Sequence, residues 1–235
     1  MLRTKVFALF FLSLIAGIIA WQVTVQAHPL VPLPPELSKT GVAEQTAELF
    51  ALKMRNELQN ECAGLAVFAS MVVGVGGYFF SRGKRKPARF GIALAGLLVG
   101  AGTGVLMALS CSFLRDLLPI QWLPSTKATV IWTVLFLELS IACALIANVG
   151  LGFDRHSLGI WSGGLVGALL AAVAYPLVVG LLFRFENSDP ALPLGTYSRA
   201  LLFCLPTFLI FALMEYQYSK SIAKVGELTG SGNVS

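Results

Sequence analysis

Glu138 is where any chemistry in this chain has to start. It is the only acidic residue set deep inside a long apolar run, Ala128–Phe153. An ionisable side chain at such a depth costs roughly 2.5–3.5 kcal/mol on insertion scales. It must therefore be protonated, paired, or turned toward protein or water. Intramembrane acids commonly mark ion and proton pathways. Alternation of the apolar runs sets Ser70, Thr103 and Thr207 at a similar depth, and these four residues predict a small polar cluster. Two roles stay open: the lining of a channel or proton-linked transporter, or a neutral, hydrogen-bonded structural acid. Glu215, near the end of the last run, is expected to reach water.

Cys62 and Cys111 lie at nearly equal distances on either side of the basic loop around residue 85. A straight helical hairpin brings both to one surface at matched height, which makes them a candidate disulfide if that side is oxidising. Cys143 and Cys204 fall on opposite halves of the layer, so no bond is expected between them.

Other motifs fail on spacing. Gly150-Leu-Gly-Phe-Asp154 and Pro190-Ala-Leu192 look superficially like intramembrane aspartyl protease motifs. The glycine spacing is wrong, no neighbouring run carries a partner aspartate, and the second motif falls in a loop. The two histidines, His28 and His156, are assigned to opposite sides, so they predict no metal site. There is no HExxH, GxSxG or P-loop. The chain is therefore expected to be no enzyme and to carry no cofactor.

The elements that hold these residues are six apolar runs: Val6–Val25, Cys62–Phe80, Phe90–Leu114, Ala128–Phe153, Leu158–Phe183 and Ala200–Met214. Each approaches the roughly 20 residues that cross ~30 Å of hydrocarbon. Charged residues are 12% of the chain, about half the share of an ordinary soluble domain, about 25%. The net charge of +5 does not indicate nucleic acid, because Arg82, Lys84, Arg85, Lys86 and Arg89 crowd one short loop. Such a cluster beside a membrane fixes topology or touches anionic headgroups. With that loop in the cytoplasm, alternation leaves ten basic residues inside and seven outside, with the C-terminus inside.

Residues 1–27 read either as a signal peptide, with Val25-Gln26-Ala27 as the cleavage site, or as a first transmembrane helix. Residues 28–61 read as an extracytoplasmic proline-rich spacer followed by an amphipathic helix from about Val42. That helix is expected to run into the next span as an interfacial segment. The loop Arg115–Lys127 is expected at the interface, with Trp122 at headgroup depth. Pro176 and Pro206 are expected to kink their helices.

Two small-residue ladders follow. Gly96, Gly100 and Gly104 lie four apart, as do Gly159, Gly163 and Gly167. Between lipid-embedded helices the hydrophobic drive is weak, and glycine lets backbones close on one another. The ladders are expected to pack helices within the chain, with a homo-oligomer seam or a sliding contact as the alternative. Gly-Ile and Gly-Leu-Val-Gly-Ala patterns recur in the runs around Gly91 and Gly159. That recurrence suggests a tandem hairpin repeat.

The chain thus reads as an all-α, polytopic transmembrane bundle of six spans, or five if the first is cleaved. The bundle covers residues 62–218, with spans near 62–80, 90–114, 128–153, 158–183 and 199–218, and 219–235 form a cytoplasmic tail. The expected role is a non-enzymatic accessory, assembly or structural protein of a bacterial inner membrane, with a channel or proton-linked transporter using Glu138 as the alternative. Its expected partners are the lipid bilayer, further copies of itself or another membrane protein, and no nucleic acid.

Overall fold

The computed structural model describes residues 47–119, 124–153, 156–182 and 196–230, together with Phe11, Ile15 and Ile18. The expectations for residues 1–46 as a whole, for Trp122, for the protease-like Asp154 and for Pro190-Ala-Leu192 lie outside them.

All the described regular structure is helical. Helix α1 spans Ala47–Phe80, α2 Lys86–Leu117, α3 Pro124–Leu151, α4 Ser157–Leu182 and α5 Thr196–Gly230. The expected amphipathic segment and the span after it are one continuous helix, α1, of 34 residues. Nothing between Glu61 and Cys62 breaks the backbone; only the composition changes there.

The helix ends follow local chemistry. After Phe80 a tight turn is held by Arg82 N–H on Phe79 O and Lys84 N–H on Ser81 O. Pro87 then opens α2 in its first turn, where a missing N–H costs nothing. Helix α3 stops at Gly152, whose φ of +85° is a left-handed conformation that favours glycine. The Gly152 N–H closes the end on Asn148 O. Pro176 and Pro206 lie inside continuous helices.

Four helices contain stretches long and apolar enough to cross a membrane: Cys62–Phe80, Lys86–Leu117, Thr129–Leu151 and Ser157–Tyr175. These stretches fit an integral membrane protein. Helix α3 is the central element: 61% of its apolar stretch is buried, against 28% for α2. It packs on α1, α2 and α4. Its inward residues Leu135, Phe136, Leu139 and Ala147 meet Phe68, Phe80, Ile160 and Phe211 in one core. On α2 the outward residues Leu94, Leu98, Leu106, Leu109 and Phe113 are exposed and apolar, a surface that hydrocarbon accepts and water does not.

Both glycine ladders lie between helices of the same chain, and all of their glycines but the half-buried Gly159 are buried. A Cβ on Gly96 would stand 2.7 Å from Val73 O, one on Gly100 would meet Ala69 O, and one on Gly104 would meet Leu65 O. All three contacts are with the backbone of α1. On α4, Gly159 faces Gln217 O, Gly163 faces Leu213 O and Met214 Cα, and Gly167 faces Ile210 Cα, all on α5. Both pairs are antiparallel. The first ladder thus joins α1 to α2; α3 and α4 also pack against each other, but the ladder of α4 lies against α5. The ladder of α4 turns away from α3, which instead meets Gly164, at ordinary contact distance from Ser140. Adjacent glycines at 163 and 164 give α4 two smooth faces, and the tighter seam falls to α5.

Candidate functional site

Glu138 stands halfway along α3, on the side turned to α2. Its carboxyl oxygen Oε1 accepts a hydrogen bond from Ser110 Oγ at 2.6 Å. That is the short end of the range for a hydroxyl on a carboxyl group. The other oxygen, Oε2, is buried and has no hydrogen bond among the described residues. The ion pair of Arg82 with Glu215 lies elsewhere.

The three expected companions of Glu138 are engaged differently. Ser70 Oγ donates across the seam to Leu97 O of α2, at 2.9 Å. Thr103 Oγ1 donates to Val99 O in its own helix, at 2.9 Å. Thr207 is buried on α5. The carboxyl is thus bonded to Ser110, which the sequence reading passed over. Alternation of the runs matches depths only when the helices have similar lengths. Helix α2 is 32 residues long, about 48 Å at 1.5 Å per residue, so its run centre is a poor gauge of which residue meets the middle of α3.

Three other polar side chains on α3 donate to their own helix, although Asn148 Oδ1 stays buried with no hydrogen bond among the described residues. Ser140 Oγ donates to Leu137 O, Thr133 Oγ1 to Thr129 O and Asn148 Nδ2 to Ala144 O. Trp132 stacks on Phe136 with ring centres 5.3 Å apart, and Tyr175 meets Trp132 edge-on at 5.2 Å. Trp132 Nε1 and the Tyr175 hydroxyl are buried with no hydrogen bond among the described residues.

The second charged feature sits at the end of the bundle that carries the basic loop. Arg82 Nη2 donates to Glu215 Oε1 at 2.8 Å. The Ser219 hydroxyl reaches the same oxygen at 3.4 Å. Glu215 is 1% exposed and the Arg82 side chain 35%. This corrects the expectation that Glu215 reaches water: Arg82 covers it, with its guanidinium also 4.9 Å over the Phe79 ring. Arg89 lies 4.1 Å over the Tyr78 ring and donates to Tyr78 O at 3.3 Å. Of the five loop cations, Lys84, Arg85 and Lys86 are the exposed ones that make none of these contacts. Nearby, His156 Nδ1 lies 3.2 Å from Ser221 Oγ. That hydroxyl donates to Tyr218 O at 2.7 Å, so the pair is not arranged as a nucleophile with its base.

The structure holds no bond between Cys62 and Cys111. The ladder contacts explain why. They set Gly100 against Ala69 and Gly104 against Leu65 and Ala66. Continuing that antiparallel register puts Cys62 opposite Met107 and Ala108, about one helical turn short of Cys111. Cys111 is buried and Cys62 only partly so. Cys143 is buried on α3, and Cys204 lies on α5. Among the described residues, no three metal-ligating side chains gather.

No protein family, curated protein or solved structure matches the chain.

Proposed function

We propose that this chain is a non-enzymatic accessory or assembly component of a bacterial inner membrane. Helices α1 to α5 make five crossings, and residues 6–25 form either a sixth or a removed signal. The basic loop and the C-terminus face the cytoplasm, where the positive-inside rule puts them. Support for a crossing by α5 comes from the ladder, which keeps Leu209–Gln217 alongside Gly159–Gly167 of a helix long and apolar enough to span.

The observation that carries the accessory reading is the fate of the interior hydroxyls and amides. Thr133 and Ser140 donate their hydroxyls, and Asn148 an amide hydrogen, to backbone carbonyls of their own helix, as half-buried Thr103 does in α2. Ser110 closes on Glu138. Side chains bonded in this way support a packed scaffold better than they support a wet path.

Mild extraction from native membranes tests the idea. The chain is expected in an assembly larger than its own 25.1 kDa. A monodisperse monomer free of other polypeptides contradicts it.

One observation favours a second reading, a proton-linked transporter or small channel. Glu138 Oε2 is buried in the apolar layer without a hydrogen bond among the described residues, and such a group can exchange a proton. Flux into proteoliposomes that falls sharply in Glu138→Gln selects this reading. Flux that is absent, or unchanged in the variant, removes it.

A further inference from the structure

We infer that the groove between α1 and α2, at the end of the bundle away from the basic loop, is a binding site for one anionic phospholipid. The groove is a shallow depression of about 440 Å³, open along one side as a site for a lipid held from the bilayer would be. Its floor is apolar, formed by Leu58, Ala63 and Ala66 of α1 and Val105 of α2. These α1 residues, with Arg55, Gln59 and Cys62, recur at three- and four-residue steps and so share one helical face.

The groove opens where the glycine seam ends. Gly104 brings α2 onto the α1 backbone at Leu65 and Ala66. Beyond that contact, alanines on α1 leave the surface hollow. The position along the membrane normal decides the occupant. The apolar stretch of α1 begins at Cys62. Ala66 is therefore about 6 Å inside that boundary, and Arg55 about 10 Å outside it, at 1.5 Å per residue. The headgroup layer lies in that outer zone. An apolar floor running down into hydrocarbon, with an exposed guanidinium on its rim, matches an amphiphile with a phosphate at one end. The fork of arginine donors suits phosphate oxygens. In this arrangement the phosphate sits on Arg55, Gln59 flanks the glycerol region, and the chain passes over Cys62 between Ala66 and Val105.

Native mass spectrometry of the full chain in detergent tests the site, using phosphatidylglycerol against phosphatidylcholine as probes. Phosphatidylglycerol is expected to be retained preferentially. Arg55→Gln should lower its retention about tenfold, the scale of one lost charge-assisted hydrogen bond. Val105→Trp, which fills the groove from an exposed position, should abolish retention while leaving the thermal unfolding midpoint in place. Alkylation of Cys62, followed on its own peptide, should slow when phosphatidylglycerol is added and not when phosphatidylcholine is. Equal retention of the two lipids overturns the proposal, as does retention unchanged in Arg55→Gln. A third result also overturns it: efficient oxidative crosslinking of Cys62 to cysteines introduced at Phe11, Ile15 or Ile18, which would make the first apolar run the occupant.

Discussion

The Ser110–Glu138 hydrogen bond makes a specific demand at the scale of single side chains. Burying a polar group without its partner costs about 1–3 kcal/mol, whereas removing both partners together can be nearly neutral. Ser110→Ala should therefore destabilise the protein by about 1–3 kcal/mol. Glu138→Gln keeps an oxygen that can accept from Ser110 and should cost less. The double variant Ser110→Ala/Glu138→Leu should recover most of the loss from Ser110→Ala. Thermal unfolding in detergent ranks the three, and a double variant worse than Ser110→Ala would show that the carboxyl has a further partner. The Tyr175 hydroxyl gives the opposite case. It is buried with no hydrogen bond among the described residues, so Tyr175→Phe should be neutral or slightly stabilising. Tyr175→Ala, which empties the aromatic cluster with Trp132 and Phe136, should cost about 3–5 kcal/mol. Glu138 was legible in the sequence because an acid in an apolar run stands out by composition alone. Ser110 was not, because a serine near a helix end carries no mark of which neighbouring helix it meets.

At the scale of helices, the glycines divide by what a methyl group would strike. At Gly100 and Gly163 an added Cβ meets the backbone of the facing helix, which cannot rotate away. At Gly91 and Gly102 it meets nothing within 4 Å. Gly100→Ala and Gly163→Ala should force their seams apart and cost about 1–3 kcal/mol, the usual penalty of overpacking. Gly91→Ala and Gly102→Ala should be neutral, or stabilising by about 0.5–1 kcal/mol through reduced backbone entropy. Unfolding midpoints of the four variants check the split, and equal effects would mean that the seams are not close-packed. The helices themselves were legible, since runs of apolar residues bounded by charge or proline define α2, α3 and α4 to within a few residues. The spacing of the ladders was legible too. The partner of the second ladder was not: a stripe of small residues says that something approaches closely, not what. With Gly163 and Gly164 adjacent, α4 offers a smooth face to either neighbour, and α5 takes the tighter contact.

For the molecule as a whole, the Arg82–Glu215 pair ties the end of α1 to α5, two helices far apart in sequence. The same end of the bundle is closed by the Phe80 and Phe211 rings, whose centres are 6.0 Å apart. The two charges are unequally buried, and that inequality sets the prediction. Glu215 is 1% exposed, while the Arg82 side chain keeps 35% of its surface open. Removing the arginine strands a buried carboxylate, and breaking a buried pair in that sense costs about 3–5 kcal/mol. Removing the carboxylate instead leaves a guanidinium that can turn to water, closer to the exposed-pair limit of about 0.2–1 kcal/mol. Arg82→Gln should therefore destabilise the bundle more than Glu215→Gln, although each variant deletes the same ion pair. The double variant Arg82→Gln/Glu215→Gln should sit nearer to Glu215→Gln than to Arg82→Gln, because it no longer buries an unpaired charge. Unfolding midpoints at low and high salt separate this from screening of the surface loop: the ranking should persist at high salt, since a buried pair is screened far less than Lys84, Arg85 or Lys86. If Glu215→Gln proved the more damaging single change, Arg82 would not be the main partner of the carboxylate, and the clasp between α1 and α5 would have to be reassigned.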